Sequence, residues 1–315
     1  MAEVITLGET MVSLCPHGAG PLSYGKNFSM HIAGAESNMA IGLQKLGHVT
    51  TFVSRLGKDE FGRFIRRMIL AEGGMAECRE DDLHSTGIMF KENLNADETR
   101  VYYYRKGSAA SFMEPEDVKE EWIKEAAVLH LTGITPLLSE SCRKTVTHAI
   151  SLAQKNGVKI SFDPNIRLKL WGDKDYRELI AGILYQAHIV MLGVKEAEKL
   201  FGLTEKEEIE KHIFSHGVCE YLAIKDGDKG AYVTDGSSRY FIPPFECKSI
   251  DPIGAGDAFN AGFLAGILEG KSLKECGAMG GICGAYATQT IGDIEGYMDR
   301  ETLERKLQDK PDIMR

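Results

Sequence analysis

The chain has 315 residues, 43% of them apolar and 26% charged, with a formal net charge of −9 at neutral pH. That length and apolar content support a real core, as one large α/β domain or two smaller ones. The acidic balance, with no basic run longer than "RFIRR", argues against a nucleic-acid surface, and no stretch approaches the roughly 18 uninterrupted apolar residues of a membrane helix.

Short β-rich runs alternate with longer helical patterns for most of the length. "EVITLGE" opens as a strand, and the N-terminus carries Glu3 and no basic segment, so it reads as a first strand and not as a signal peptide. "ESNMAIGLQKLG" follows with Met39, Ala40, Leu43 and Leu46 at helical spacing and Gly47 as its stop. "VTTFVSRLG" predicts the next strand and "DEFGRFIRRMILAEG" the next helix. Further on, "AVLHLTG", "SCRKTVTHAISLAQKNG", "VKISFDPN", "DYRELIAGILYQA", "HIVMLG", "KEAEKLFG" and "EYLAIKDG" continue the alternation. Strand, helix and strand with glycine at the joints indicate βαβ units around a mainly parallel central sheet flanked by helices.

Two segments, about 10–33 and 86–112, break this rhythm with alternating or aromatic β patterns such as "TGIMFKEN" and "TRVYYYRKG". They predict a small antiparallel sheet inserted into a single 315-residue domain. Hung over the carboxyl ends of the parallel strands, where ligands prefer to bind, such a sheet would act as a lid. Alternation places Tyr103 and Arg105 on one face of it, and Tyr102 and Tyr104 on the other.

Seven cysteines are scattered with no C-x-x-C pair, which points to reduced thiols in a cytosolic protein. His212 and His216 in "HIFSH" have helical spacing but lack the Glu of H-E-x-x-H, so a structural or surface pair is expected there.

The segment "DPIGAGDAFNAGF", residues 251–263, carries the chemistry. The apolar residues after Asp257 fit a buried helix, which puts Gly254-Ala255-Gly256 at a helix N-terminus, where free N–H groups attract anions. The segment is neither G-x-x-x-x-G-K-[ST] nor G-x-G-x-x-G. On the residues alone the glycines could simply shape a turn that Asp257 caps. A carboxylate at the lip of an anion hole has a chemical reason if it deprotonates an alcohol that attacks phosphorus.

"DPIGAGDAFNAGF" resembles the D-T-x-G-A-G-D-x-F signature of the ribokinase-like (PfkB) carbohydrate kinases. "GAESNMAIGLQKLG" followed by "SRLGKDEFGRFI" is similar to that family's other signature region, so the resemblance runs from Gly8 to about Gly292. Within the family, "VYYYRKGSAAS" and "FDPNIRLKLW" look most like 2-keto-3-deoxygluconate kinases. The resemblance implies a ribokinase-like fold and the use of ATP and Mg²⁺. It implies that Asp257 is the base, that the amides of Gly254, Ala255 and Gly256 stabilise the transferring phosphoryl group, and that Asp251 supports the turn.

On the same resemblance Lys225, Gly227 and Gly230 of "KDGDKG" lie beside the nucleotide, although alone they read as a hairpin turn. Asn165 would lie near the phosphates, and "GGICGAYATQTIG" would pack on adenine. Gly34, Asn38, Phe90, Tyr103, Arg105, Arg167 and Asp293 would meet the sugar. Two converging arginines suit a carboxylate, although Arg105 as a solvated residue and Arg167 as a structural ion pair is the competing reading. Many family members carry N-x-x-E in relation to magnesium; here Gly193 replaces the Asn, so Glu196 would act through water and no direct protein ligand is expected.

These features imply a cytoplasmic sugar-acid kinase with no membrane or nucleic-acid partner, forming a homodimer or higher homo-oligomer. A kinase of a neutral sugar such as fructose or ribose, and a non-catalytic sugar-binding or regulatory protein on a kinase fold, are the alternatives. Gluconate-derived and galactonate-derived epimers differ by one hydroxyl, which residue types do not separate.

Overall fold

Thirteen strands and twelve α-helices follow one another in the computed structural model, which describes residues 2–95 and 98–308. The strands are β1 (Val4–Leu7), β2 (Met11–Pro16), β3 (Phe28–Ala33), β4 (Thr50–Gly57), β5 (Met75–Asp81), β6 (Ile88–Asn95), β7 (Glu98–Tyr104), β8 (Val128–Thr132), β9 (Lys159–Asp163), β10 (Ile189–Gly193), β11 (Tyr221–Lys225), β12 (Ala231–Thr234) and β13 (Arg239–Ile242). The helices are α1 (Ala35–Lys45), α2 (Glu60–Ala71), α3 (Glu120–Lys124), α4 (Thr135–Leu138), α5 (Glu140–Asn156), α6 (Leu168–Trp171), α7 (Arg177–Leu184), α8 (Val194–Phe201), α9 (Lys206–His216), α10 (Ala255–Leu268), α11 (Leu273–Ala287) and α12 (Arg300–Leu307). Each strand–helix alternation read from the sequence is present.

Nine strands form one sheet in the order β13-β12-β11-β10-β9-β8-β1-β4-β5, parallel except where β12 meets β11 and β13. Its strands bury side chains on both faces. Ile5, Leu7, Leu129, Leu131 and Phe162 face a layer that includes Val146 and Ile150 of α5 and Ile180 of α7. Val4, Phe52 and Met191 face the layer of α1 and α10, with Met39, Leu43, Phe263 and Leu264. The ends of the helices follow their residues: Ser139 caps α5 by accepting from the Cys142 N–H, and Gly157 closes it at φ +68°.

Helices α10 and α11 lie unusually close. A Cβ on Gly262 would stand 2.6 Å from the Met279 carbonyl oxygen, so only glycine permits this approach. Phe263 on α10 is fully buried, worth about 2–3 kcal/mol of transferred surface. The first turn of α10 is therefore fixed by packing along the rest of the helix.

The remaining strands form the small sheet, in the order β3-β2-β6-β7. It is antiparallel within its two hairpins and parallel where β2 meets β6. Register sorts its side chains: Met89 pairs with Tyr103 and Lys91 with Val101 on one face, and Phe90 pairs with Tyr102 on the other. Among the described residues no helix is long and apolar enough to cross a membrane. His212 and His216 stack at 4.3 Å between ring centroids, and His212 is bonded to the Tyr185 hydroxyl at 2.8 Å, as a structural pair.

Candidate active site

Strands β8, β9, β10 and β11 are mutually parallel, so the residues that end them emerge along one edge of the sheet. Asp163 ends β9, Gly193 ends β10 and Lys225 ends β11, and α10 starts above them. The site is assembled there from segments more than 200 residues apart.

Gly254 is the N-cap of α10 with φ +86°, and Ala255, Gly256 and Asp257 form the first turn. Helix geometry leaves the Gly256 and Asp257 N–H groups without intrahelical acceptors, a local anion hole. A Cβ on Gly254 would stand 2.2 Å from the Asp293 carbonyl oxygen, whereas one on Gly256 would meet only the Lys225 Nζ at 3.9 Å. The first glycine is required by the fold, and the second leaves open space facing a cation.

Asp257 is buried and held by two amides: Asn38 Nδ2 donates to Oδ2 at 2.8 Å, and Asn165 Nδ2 approaches Oδ1 at 3.4 Å. Asn165 adopts φ +39°, a conformation rare outside glycine, and its N–H donates to Asp163. Burial pushes the Asp257 carboxyl up to about 7, aided by the charges of Asp163 and Asp293 and opposed by the Asn38 bond and Arg167. A carboxyl tuned to that range can take up and release a proton near neutrality.

Lys225 Nζ donates to Asp163 Oδ2 at 2.9 Å and to Asn260 Oδ1 at 3.0 Å. Burial raises the Asp163 carboxyl, but the Lys225 charge and the bonds from Lys225 and Asn260 hold it below its usual range. "KDGDKG" is both a hairpin connection between β11 and β12 and, through Lys225, Gly227 and Gly230, part of the wall of a cavity of about 550 Å³. Pro244, Phe245, Gly284 and Ala285 make its other side apolar, and Ala255 and Gly256 close its end. Helix α11, including "GGICGAYA", thus lines this cavity.

A second groove, of about 670 Å³, brings together Tyr103, Arg105, Lys106, Arg167 and Lys169, with no acidic residue in its lining. Lys169 Nζ reaches the Val101 carbonyl oxygen at 2.8 Å, which links α6 to the small sheet. Three residues expected at the sugar have partners of their own here. Arg105 faces the groove, but its Nε donates to the buried Glu9 at 2.6 Å, so part of its charge is already matched. Phe90 is not in the groove: register puts it on the opposite face, where it packs edge-on against Phe28 and Tyr104. Asp293 is buried beneath the glycine turn, facing Lys91 and Asn38.

Gly34 is the N-cap of α1, with extended backbone, and a Cβ there would meet the Glu9 carbonyl oxygen at 2.3 Å. Its smallness is thus also demanded by packing. Glu196 Oε1 accepts from the Ile166 N–H at 2.8 Å and Oε2 from the Gly193 N–H at 2.7 Å, so the acid caps α8 across the position where the family Asn would stand. Burial and the Asp163 charge hold the Glu196 carboxyl above its usual range. Among the described residues no group of three or more His, Cys, Asp or Glu side chains is placed to hold a metal.

Sequence reasoning missed Glu9, Lys91, Asp163 and Asn260. Asp163 stood in "FDPNIR", and strand alternation in "TGIMFKEN" could have put Lys91 on the same face as Met89. Asn260 stood in "DPIGAGDAFNAGF" and Glu9 in "EVITLGE", but nothing in either run marked them as partners of Lys225 and Arg105.

The pfkB family carbohydrate kinase model matches residues 1–300. The chain is 34% identical to the 2-dehydro-3-deoxygluconokinase of Bacillus subtilis over 96% of its own length and 94% of that protein's. It is 28% identical to the 2-dehydro-3-deoxygalactonokinase of Haloferax volcanii, over 97% of this chain and 96% of that one. Among solved structures, a PfkB protein from Polaromonas sp. JS666 superposes with a TM-score of 0.87 at 33% identity, covering 97% of this chain and all of that one. With a signature turn, a buried acid and an apolar cavity in one cleft, the chain belongs to the pfkB family of carbohydrate kinases.

Proposed function

We propose that this carbohydrate kinase phosphorylates a sugar acid, 2-keto-3-deoxygluconate, at its terminal hydroxyl to give the 6-phosphate. The observation that carries the sugar-acid reading is the groove lined by Arg105, Lys106, Arg167 and Lys169 and by no acidic residue, from which the Arg167 charge acts on the Asp257 carboxyl. A guanidinium fork there is the matched partner of a carboxylate. The names of the related kinases point to the same substrate class.

ATP occupies the apolar cavity with its phosphates toward Gly256 and Lys225. The hydroxyl proton passes to Asp257 as the oxygen attacks the γ-phosphorus in line. The bond from that phosphorus to the bridging oxygen breaks and ADP leaves, and the α10 N–H groups take up charge on the transferring group. Asp163 and Glu196, the desolvated carboxylates at the end of β9 and in the first turn of α8, would hold magnesium through its bound waters. When bound, it neutralises phosphate charge. The small sheet acts as a lid that excludes water.

The test is coupled ADP release with purified protein and Mg·ATP, comparing 2-keto-3-deoxygluconate, its galactonate epimer, fructose and ribose. Preference for the two acids is expected. The pairing of Arg105 with Glu9 is the one observation that favours a neutral sugar, and Arg167→Ala separates the readings. Loss of a charge-assisted bond should raise KM for the acid about 10- to 100-fold and leave the neutral sugars unchanged; equal effects on both would overturn the carboxylate assignment.

The outer face of the small sheet supports a homodimer. Met30 is 43% and Tyr104 68% exposed there, beside the half-buried Phe28 and Phe90. Light scattering should give a dimer for the native chain and a monomer for Met30→Glu. A native monomer at micromolar concentration would remove this assignment.

A further inference from the structure

Lys91 has no part in the chemistry described so far, yet it is the most completely buried cation of the site. It stands on β6, on the inner face of the small sheet, with no solvent exposure. Its Nζ lies 2.9 Å from Asp251 Oδ2 and 2.8 Å from Asp293 Oδ1. Taking an ammonium out of water costs several kcal/mol, and a buried ion triad replaced as a whole by apolar residues is often no less stable. A stability role alone does not account for it.

The two carboxylates it joins bracket the glycine turn. Asp251 opens the turn, its Oδ1 accepting from the Ile253 N–H at 3.1 Å. The backbone of Asp293 lies against Gly254, and its side chain accepts from Asn38 Nδ2 at 3.4 Å, the same amide that donates to Asp257 at 2.8 Å. A continuous path thus runs from the small sheet through Lys91 to Asp293, Asn38 and Asp257. A second tether lies two residues on, where His31 of β3 meets Glu295 at 2.5 Å.

We propose that Lys91 is a positioning residue, which ties the small sheet to the two loops that bracket the glycine turn and thereby holds Asp257 and the anion hole in register. Because the ammonium rides on the sheet and its partners on the body, seating the sheet over the sugar delivers the charge that completes the site. Both buried carboxylates depend on that charge: with burial opposing it, the two acids hold Lys91 well above the ordinary lysine range.

The inference rests on the reading of Asp257 as base, so Lys91→Met, Lys91→Arg and Asp257→Asn are compared in the full chain. Turnover is followed with Mg·ATP and whichever of the four sugars reacts fastest. Lys91→Met is expected to lose about 30- to 300-fold in kcat, the scale of an ångström-level misplacement, with KM for ATP and sugar within about threefold. Lys91→Arg should recover at least about tenfold of that, since it restores the charge. A kcat within about threefold of wild type, a loss confined to KM, or an Arg variant no better than Met would overturn the inference. If Lys91→Met does not fold, Asp293→Asn decides: the same kcat-selective loss is expected, and wild-type turnover or failure to fold there counts against a positioning role. Wild-type turnover in Asp257→Asn would instead remove the underlying base reading.

Discussion

Asp257→Asn is expected to fold, to keep most of its affinity for both substrates, and to lose about 10²- to 10⁴-fold in kcat, the usual worth of a positioned base. Asn is isosteric, and Asn38, the closer donor, can still bond to its carbonyl oxygen, with the amide nitrogen turned toward Asn165. The native enzyme should show kcat/KM rising with pH and levelling off above about 7, where the buried carboxyl loses its proton. That limb should vanish from the residual activity of the variant. Retention of near-native turnover, or an unchanged acidic limb, would assign the base elsewhere.

The same shift carries a stability consequence of definite sign. The Asp257 carboxyl is raised in the fold, so the folded state holds its proton to higher pH than the unfolded chain does. Stability is therefore lost as pH rises from the ordinary carboxylate range through about 7, by something on the order of 2–4 kcal/mol for this one group. Asp257→Asn removes the penalty. In urea melts the variant should exceed the native protein at pH 8, with the gap closing toward pH 4. Asp163 runs in the opposite sense: its lowered carboxyl contributes stability above the ordinary range that is lost as pH falls.

Much of this molecule was legible from periodicity. Runs such as "AVLHLTG" and "HIVMLG" are mostly β-branched or apolar because both faces of the parallel sheet are covered. The glycine turn and its acid were legible because their spacing is local. What sequence could not supply was the partner of each charge. Arg105 was read as free for a ligand, but Glu9, 96 residues away, reaches it across the junction of the two sheets. Phe90 was placed at the sugar by the family resemblance; only the pairing of Met89 with Tyr103 reveals that it faces outward. Strand alternation sorts residues into two faces without saying which is inside, and a buried cation such as Lys91 is what resolves it.

The last two variants differ by a single methyl at two positions of one turn, and they should fail in different ways. At Gly254 the chain has φ +86°, and the added Cβ would stand 2.2 Å from a backbone oxygen of Asp293, which no rotamer change relieves. Gly254→Ala must therefore shift the 293 loop away from α10 or abandon the left-handed conformation. Either way it should lose about 1–3 kcal/mol of stability, together with most of its activity. At Gly256 the Cβ would find only Lys225 Nζ, 3.9 Å away, and the backbone there is already helical. Alanine is the better helix former, so Gly256→Ala should melt at or slightly above the native temperature. Its methyl group, however, fills the space in which a phosphate would approach the α10 N–H groups and Lys225. KM for ATP should rise and kcat fall, together lowering kcat/KM by about 10²- to 10³-fold, the scale of a lost oxyanion donor. A Gly256→Ala enzyme with native kinetics would move the phosphate away from this turn, whatever Gly254→Ala does. The pair thus separates what the glycines do for the fold from what they do for the reaction.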